Sequence, residues 1–294
     1  MASVQSNGIT LEYVEQGSGD PLLLVMGLSG QLIDWPQEFV DLLAEQGFRV
    51  IRFDNRDSGL STEMPGPAPT MGDLAKAMVF KGKLSSEYLV SDMADDAIGV
   101  LDALGIGSAH VVGVSMGGMI AQAMAIQHPS RVRSLTSIMS TTGNRRVGQP
   151  RVGLLRRTVR RPKPTFETAI ESGLQTFRAV SGPTFDEARF REMAKVSIDR
   201  SYRPDGTARQ TAAIMSSPDR TEALGRLRLP TLVIHGMLDP LVRMSGGVAT
   251  ARAIPGSRLL MFNDMAHDLP STRWHEMAEA IRRNADRVAA VIAS

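Results

Sequence analysis

The sequence Gly113-Val114-Ser115-Met116-Gly117-Gly118 decides the fold. An apolar run at residues 110–114 precedes the serine, and a helix-period segment at residues 116–128 follows it. A serine at such a strand–turn–helix corner adopts a strained backbone that exposes its hydroxyl above the sheet. Glycines are needed at both flanks, because side chains at those positions would collide across the turn. The pattern therefore predicts a nucleophilic serine at the amino end of a helix. The alternative is a glycine-rich turn with an ordinary capping serine.

Outward from this motif, short apolar runs alternate with helix-period segments. The predicted strands are residues 9–14, 21–26, 49–53, 110–114, 135–139, 231–235 and 258–262, and the predicted helices between and after them are 34–46, 88–104, 116–128, 247–254 and 273–291. The runs from Leu22 onward show no polar alternation, as expected for strands covered on both faces. This order is typical of βαβ units and predicts a mostly parallel sheet.

Two segments depart from the alternation. Residues 143–218 contain predicted helices at 166–180, 187–202 and 207–215 but no convincing strand, which indicates a helical insertion over the sheet. Residues 63–83 carry three prolines and three glycines and are expected to form a long loop or flap.

A basic run opens the helical insertion. Its members are Arg145, Arg146, Arg151, Arg156, Arg157, Arg160, Arg161 and Lys163. Such a run could form a nucleic-acid or membrane patch. No aromatic residues interleave the charges as a platform for single-stranded nucleic acid would require, so a solvated surface is the favoured interpretation.

Composition narrows the classes of protein further. The 294 residues are 43% hydrophobic and 22% charged, which is a globular balance. Cysteine is absent, and this excludes a disulfide scaffold, a thiolate metal site and a cysteine nucleophile. The net charge of +2 implies no global field for nucleic acid. Neither a secretory signal nor an apolar run of membrane-spanning length is found, so we expect a cytoplasmic protein without stable membrane insertion.

Together, the serine motif and two further stretches of the chain resemble the α/β-hydrolases. Besides the serine motif, residues 23–30 (LLVMGLSG) resemble the family's strand and oxyanion loop, with Met26 where histidine is common. Residues 53–61 (FDNRDSGLS) resemble the D-x-R-G-x-G-x-S loop, with Asp57 where glycine is usual. The resemblance covers nearly the whole chain apart from the insertion. It implies an α/β-hydrolase fold, a mostly parallel eight-stranded sheet with flanking helices.

The resemblance also implies a division of the chain into two parts. Residues 1–142 and 219–294 would form the hydrolase core, and residues 143–218 would form a helical cap that acts as a lid.

A serine hydroxyl needs a base to remove its proton, and the base needs an orienting group. The family's chain order is serine, acid, histidine. Of five histidines, only His267 and His275 follow the late strands. His275 falls inside a helix-period segment, whereas His267 lies in a loop after the last strand and is the predicted base.

Asp239 is the predicted acid. It lies in the loop after the strand at residues 231–235, where the family keeps its carboxylate. An ordinary Asp-Pro turn is the alternative. Asp264 and Asp268 are too close to His267 in sequence to orient it easily, and we expect them to be turn or capping residues.

By resemblance, the backbone amides of Leu28 and Met116 would form an oxyanion hole. An apolar substrate pocket is also predicted, although core packing is the alternative for any one methionine. Its predicted members are Met26, Gly27, Leu28, Trp35, Met116, Met119, Met237, Leu238 and Leu241, with Met71, Met78, Val79 and Phe80 at an entrance.

Ser115 argues against the family's epoxide hydrolases and haloalkane dehalogenases, which carry aspartate at this position. The chain is similar to bacterial lipase-like esterases and polyketide methylesterases. We therefore predict a serine carboxylesterase for small to medium esters with an apolar body, without a metal or organic cofactor and without a nucleic-acid partner, as a monomer or homodimer. The alternatives are a cofactor-free perhydrolase of the haloperoxidase type, a carbon–carbon bond hydrolase, and a non-catalytic protein that binds a small ligand.

Overall fold

The computed structural model describes residues 1–70, 72–74, 86–154 and 164–292. Its eight strands form one sheet in the order β1-β2-β4-β3-β5-β6-β7-β8. The strands are β1 Ala2–Ser6, β2 Ile9–Gln16, β3 Asp20–Val25, β4 Phe48–Phe53, β5 Ala109–Val114, β6 Val132–Ile138, β7 Thr231–Gly236 and β8 Arg258–Phe262. Strand β2 runs antiparallel to β1 and β4, and all other pairs are parallel. The predicted mostly parallel, eight-stranded sheet is confirmed.

Strand β1 was not among the predicted runs. Its residues are mostly exposed, so no apolar period marks them. Asn7 and Gly8, which join β1 to β2, both have positive φ (49° and 78°). Such a pair is typical of a two-residue hairpin turn, and it was the signal available in the sequence.

Helices cover both faces of the sheet, as the unalternated strands predicted. Leu23 and Val25 of β3 lie in one apolar cluster, and Leu22 and Leu24 lie in a second cluster on the opposite face. The helices of the first face are α2 (Val90–Ala103) and α3 (Met116–Gln127), and those of the second are α1 (Gln37–Glu45) and α9 (Trp274–Ile292).

Between β6 and β7, the described residues form helices and no strand. The helices are α4 Ala169–Val180, α5 Glu187–Arg200 and α6 Pro204–Ser216, followed by the short α7 Thr221–Leu224. The helix predicted at residues 207–215 begins three residues earlier, at Pro204, because proline is accommodated in the first turn of a helix. A small apolar cluster of Leu174, Phe190 and Ala194 packs α4 against α5. Helix α8 (Ser245–Ala253) lies between β7 and β8.

Parts of three predictions lie outside the described residues. They are Arg156, Arg157, Arg160, Arg161 and Lys163 of the basic run, the predicted entrance residues Met71, Met78, Val79 and Phe80, and residues 71 and 75–83 of the predicted flap. Arg145, Arg146 and Arg151 are described and exposed. Within the described residues, no helix combines the length and apolarity needed to cross a bilayer.

Candidate active site

Ser115 stands between the end of β5 and the start of α3, at the carboxyl edge of the sheet. Its backbone has φ 53° and ψ −116°, a conformation that non-glycine residues rarely adopt. The Ser115 amide donates to the carbonyl of Ile138 at 2.9 Å, which ties the turn to the neighbouring strand β6. The strained serine expected of this motif is therefore present.

The two flanking glycines are needed for different reasons. A Cβ at Gly113 would overlap the carbonyl of Gly117 across the turn, as predicted. A Cβ at Gly117 would instead overlap the carbonyl oxygen of Val25. The prediction of a collision across the turn is therefore wrong for Gly117. There, the close approach of α3 to the end of β3 excludes a side chain.

Ser115, His267 and Asp239 form one hydrogen-bonded chain. The Nε2 atom of His267 lies 3.0 Å from the Oγ of Ser115, and its Nδ1 atom lies 2.7 Å from Oδ2 of Asp239. A carboxylate can only accept, so Nδ1 carries the proton and Nε2 is free to accept from the serine hydroxyl. The structure thus brings together the three residues that the sequence predicted as nucleophile, base and acid.

The carboxylate of Asp239 is buried, and both of its oxygens accept hydrogen bonds. Its Oδ1 accepts from the amides of Leu241 and Val242, each at 2.8 Å, which leaves Oδ2 facing His267. His235 closes the same turn, since its Nε2 lies 2.7 Å from the carbonyl of Val242. Burial lowers the pKa of His235, so the ring is neutral and donates through Nε2.

The His267 loop contacts the end of α4. The His267 amide donates to the carbonyl of Val180 at 2.9 Å. Asp268 joins the two segments, since its Oδ1 accepts from the amides of Ala266 at 3.0 Å and Gly182 at 3.2 Å. Burial raises the pKa of Asp268. This carboxyl binds backbone amides, as expected of a turn residue.

The other candidates for acid and base have different surroundings. Asp264 pairs with Arg273 at 2.9 Å, with a pKa lowered chiefly by that hydrogen bond. His275 is exposed on α9.

Two backbone amides, those of Leu28 and Met116, are the predicted donors of the oxyanion hole. Met116 is the first residue of α3, so its amide has no helical carbonyl four residues earlier to which it could donate. Leu28 follows β3 in a turn that the amide of Gly30 closes by donating to the carbonyl of Gly27 at 3.2 Å. In the described part of the chain, neither the Leu28 nor the Met116 amide donates to a protein acceptor. Their role as oxyanion donors stays a prediction.

The predicted pocket residues fall into two groups. Trp35 and Met119 are buried in the two core clusters, and Trp35 stacks on Phe39 at 6.2 Å between ring centroids. Leu238 is 42% exposed and Leu241 is half-buried, both in the Asp239 loop. The remaining described members are Met26, Gly27 and Met116, which are buried, and Leu28 and Met237, which are partly exposed. Their contact with a substrate stays a prediction.

Sequence reasoning missed two polar side chains at the site. The Oγ of Ser140 donates to the carbonyl of Ser115 at 2.8 Å, and Gln210 of α6 accepts from the amide of Ser29 at 2.8 Å. Both contacts join segments far apart in the chain, and neither residue belongs to a recognisable motif.

Comparisons with known proteins agree with this architecture. A family model described as alpha/beta hydrolase fold matches residues 20–272. A rhodomycin D methylesterase of Streptomyces sp. (strain C5) is 30% identical, covering 90% of this chain and 92% of the relative. A 2-hydroxymuconate semialdehyde hydrolase of Pseudomonas putida is 28% identical, covering 91% and 85%. A thermophilic esterase from Thermogutta terrifontis shares the fold with a TM-score of 0.74 at 26% identity, covering 98% and 99% of the two chains. The chain therefore belongs to the α/β-hydrolase family.

Proposed function

We propose that this hydrolase is a serine carboxylesterase. The observation that carries the proposal is the chain of hydrogen bonds from Ser115 through His267 to Asp239, at a serine with the strained backbone of a nucleophile elbow. A hydroxyl next to a neutral imidazole, itself oriented by a buried carboxylate, is the arrangement that acyl transfer requires.

Acylation begins when the Oγ of Ser115 attacks the ester carbonyl and His267 Nε2 takes the hydroxyl proton. Asp239 stabilises the imidazolium that forms. When the tetrahedral intermediate collapses, the bond to the alkoxy oxygen breaks, and His267 gives its proton to the departing alcohol. Water then attacks the acyl-serine with His267 again as base, which releases the carboxylic acid and restores the Ser115 hydroxyl.

The negative charge of the tetrahedral intermediate needs donors on the side opposite His267. The unpaired amides of Leu28 and Met116 are the proposed donors, and the amino end of α3 adds its positive dipole end at the same point. Each such donor is worth about 3 kcal/mol of barrier in comparable enzymes.

The proposed substrate is a small to medium ester with an apolar body. Partly exposed apolar side chains near the triad, Leu28, Met237 and Leu238, support an apolar pocket. The relative named as a methylesterase, which matches nine-tenths of both chains, supports a methyl ester as one candidate. We further propose residues 143–218 as a cap, because the end of α4 contacts the His267 loop.

Ser115→Ala tests the nucleophile. We expect the protein to hydrolyse p-nitrophenyl esters of short or medium acyl chains and to react with a fluorophosphonate, and the variant to lose at least about 10⁴-fold in kcat and all labelling. Ser134→Ala is the matched control, since Ser134 bonds His110 inside the sheet and should leave labelling unchanged. Labelling that persists in Ser115→Ala would disprove the assignment, and negligible turnover of every chain length would disprove the esterase.

Carbon–carbon bond hydrolysis is the second candidate. Relatives named as 2-hydroxy-6-oxononadienedioate hydrolase and 2-hydroxymuconate semialdehyde hydrolase are 27% and 28% identical over more than nine-tenths of this chain. Turnover of a 2-hydroxy-6-oxo-dienoate at a higher kcat/KM than any ester would favour this candidate over the esterase.

A further inference from the structure

Gln210 is a fully buried amide on α6 that contacts both the turn after β3 and the loop after β4. Its Oε1 accepts from the Ser29 amide at 2.8 Å, and its Nε2 donates to the carbonyl of Arg56 at 2.8 Å. Because a backbone N–H only donates and a carbonyl only accepts, these two partners fix the orientation of the carboxamide. The side chain therefore bridges the turn after β3 and the loop after β4.

The turn that Gln210 contacts is held in a disfavoured backbone conformation. Ser29 has φ 59°, in the left-handed region that favours glycine. A tight turn of this kind can relax by flipping its central peptide, here the one between Leu28 and Ser29. The flip would turn the Ser29 N–H away from Gln210. The buried hydrogen bond to Gln210 therefore stabilises one of the two orientations.

The same turn carries the Leu28 amide, which the proposed function assigns to the oxyanion hole. Two other side chains hold the turn from the loop after β4, since Asn55 donates to the carbonyl of Met26 at 3.0 Å and Ser58 donates to that of Gly30 at 2.9 Å. The hydrogen bond of Gln210 reaches the centre of the turn, from a helix more than 180 residues later in the chain.

We propose that Gln210 is a positioning residue for the oxyanion hole, so that helix α6 fixes the Leu28 amide at the distance at which it stabilises the tetrahedral intermediate. This inference rests on the proposed function. Through Gln210, the helical segment (residues 143–218) influences catalysis in addition to covering the site.

Gln210→Met tests the hydrogen bonds at nearly constant volume. We expect a fall of about 10- to 100-fold in kcat for p-nitrophenyl esters, the order expected for a misplaced oxyanion donor, with KM within about twofold. Phosphonylation of Ser115 by a fluorophosphonate should slow in parallel, because that reaction also places an oxygen in the oxyanion hole.

Gln210→Glu supplies a readout that a purely structural role would not give. A neutral carboxyl can replace the amide, with its carbonyl accepting from Ser29 and its hydroxyl donating to Arg56. The ionised form cannot donate to the Arg56 carbonyl and adds a negative charge next to the turn that carries the Leu28 amide. We therefore expect the kcat of this variant, relative to wild type, to be highest at low pH and to fall as the pH rises through the pKa of the new carboxyl.

Asn284→Leu is the matched control for the loss of a buried amide. Asn284 of α9 is 2% exposed and donates to the carbonyls of Leu135 and Pro230, and Pro230 lies at the amino end of β7, opposite the Ser115 edge. Its loss should lower the melting temperature and leave kcat and the labelling rate unchanged.

The outcomes separate the two proposals. A wild-type protein that does not react with the fluorophosphonate would overturn the proposed function, and this inference with it. If the wild type reacts and Gln210→Met reacts at the same rate with the same kcat, only the role of Gln210 is overturned. A Gln210→Glu variant whose activity relative to wild type does not change with pH would also overturn it.

Discussion

The helical segment (residues 143–218) contacts the rest of the chain through several arginine–carboxylate pairs, two of which lie in opposite environments. Arg209 of α6 binds Asp57 through Nη2 at 2.6 Å and Nε at 3.0 Å, and both residues are buried. Arg189 of α5 binds Glu38 of α1 at 2.6 Å, with 44% and 57% of the two side chains exposed. The same chemistry therefore occurs both where water is excluded and where water competes. Arg200 of α5 and Asp54, 2.7 Å apart, form a second, largely buried pair. The buried contacts should account for most of the energetic coupling between the two parts.

Arg209→Met should have the largest effect on stability. Among the described residues, the buried Asp57 carboxylate then keeps two donors, the hydroxyl of Tyr88 at 2.6 Å and the amide of Met64 at 2.9 Å. Removing one partner of a buried pair costs about 3–5 kcal/mol, since an uncompensated charge remains. Urea denaturation should show this loss in the free energy of unfolding.

Arg209→Lys is the control, because lysine keeps the positive charge but lacks the planar guanidinium that binds a carboxylate through two nitrogens. It should recover part of the lost free energy of unfolding. A change below about 1 kcal/mol in Arg209→Met would contradict the prediction, because it would place the buried pair in the range of exposed ones.

The contact between Arg209 and Asp57 also shows which features could not be predicted from the sequence. Asp57 was recognised as a departure from the family's glycine, and its positive φ of 67° explains why glycine is usual there. Its partner lies 152 residues away, in a helix whose period predicts only its apolar face. Gln210 was missed for the same reason. Long-range polar pairing leaves no periodic trace in the chain.

The sheet and the triad residues follow from local signals instead. An apolar run such as residues 22–25 must be covered on both faces, whichever helices do so. Ser115, Asp239 and His267 each follow a predicted strand, and the carboxyl ends of parallel strands meet at one edge. Their positions could therefore be predicted without any knowledge of the helical segment. Strand β1 was missed because it is mostly exposed and shows no apolar period, so that only the Asn7-Gly8 turn marked it.

His110 of β5 is a buried titratable group that hydrogen-bonds the side chain of Ser134. It tests how much the burial of a histidine lowers the free energy of unfolding at acidic pH. Its Nδ1 lies 2.8 Å from the Oγ of Ser134, the ring packs edge-on against Phe48, and burial lowers its pKa to about 4. The unfolded chain binds a proton near pH 6.5, whereas the folded protein does so only near pH 4. Stability from the neutral ring is therefore complete above pH 6.5 and is lost as the pH falls toward 4, by about 3 kcal/mol.

His110→Gln removes this titration. We expect the free energy of unfolding of the wild type to fall more steeply between pH 7 and pH 4 than that of the variant, as measured by urea denaturation at several pH values. Parallel pH profiles for the two proteins would show that His110 is not the group responsible.

The smallest effect is expected at the exposed pair. Glu38→Gln removes the carboxylate that binds Arg189, whose guanidinium also lies 4.9 Å from the ring centre of Trp274. Water and salt screen such a contact, so the free energy of unfolding should fall by less than about 1 kcal/mol, and by less still in high salt. Arg189 keeps its place over the tryptophan ring, which limits the loss further. If Glu38→Gln were as destabilising as Arg209→Met, exposure would not be what separates the two contacts. The exposed contact of Arg189 would then contribute as much to the attachment of the helical segment as the buried contact of Arg209.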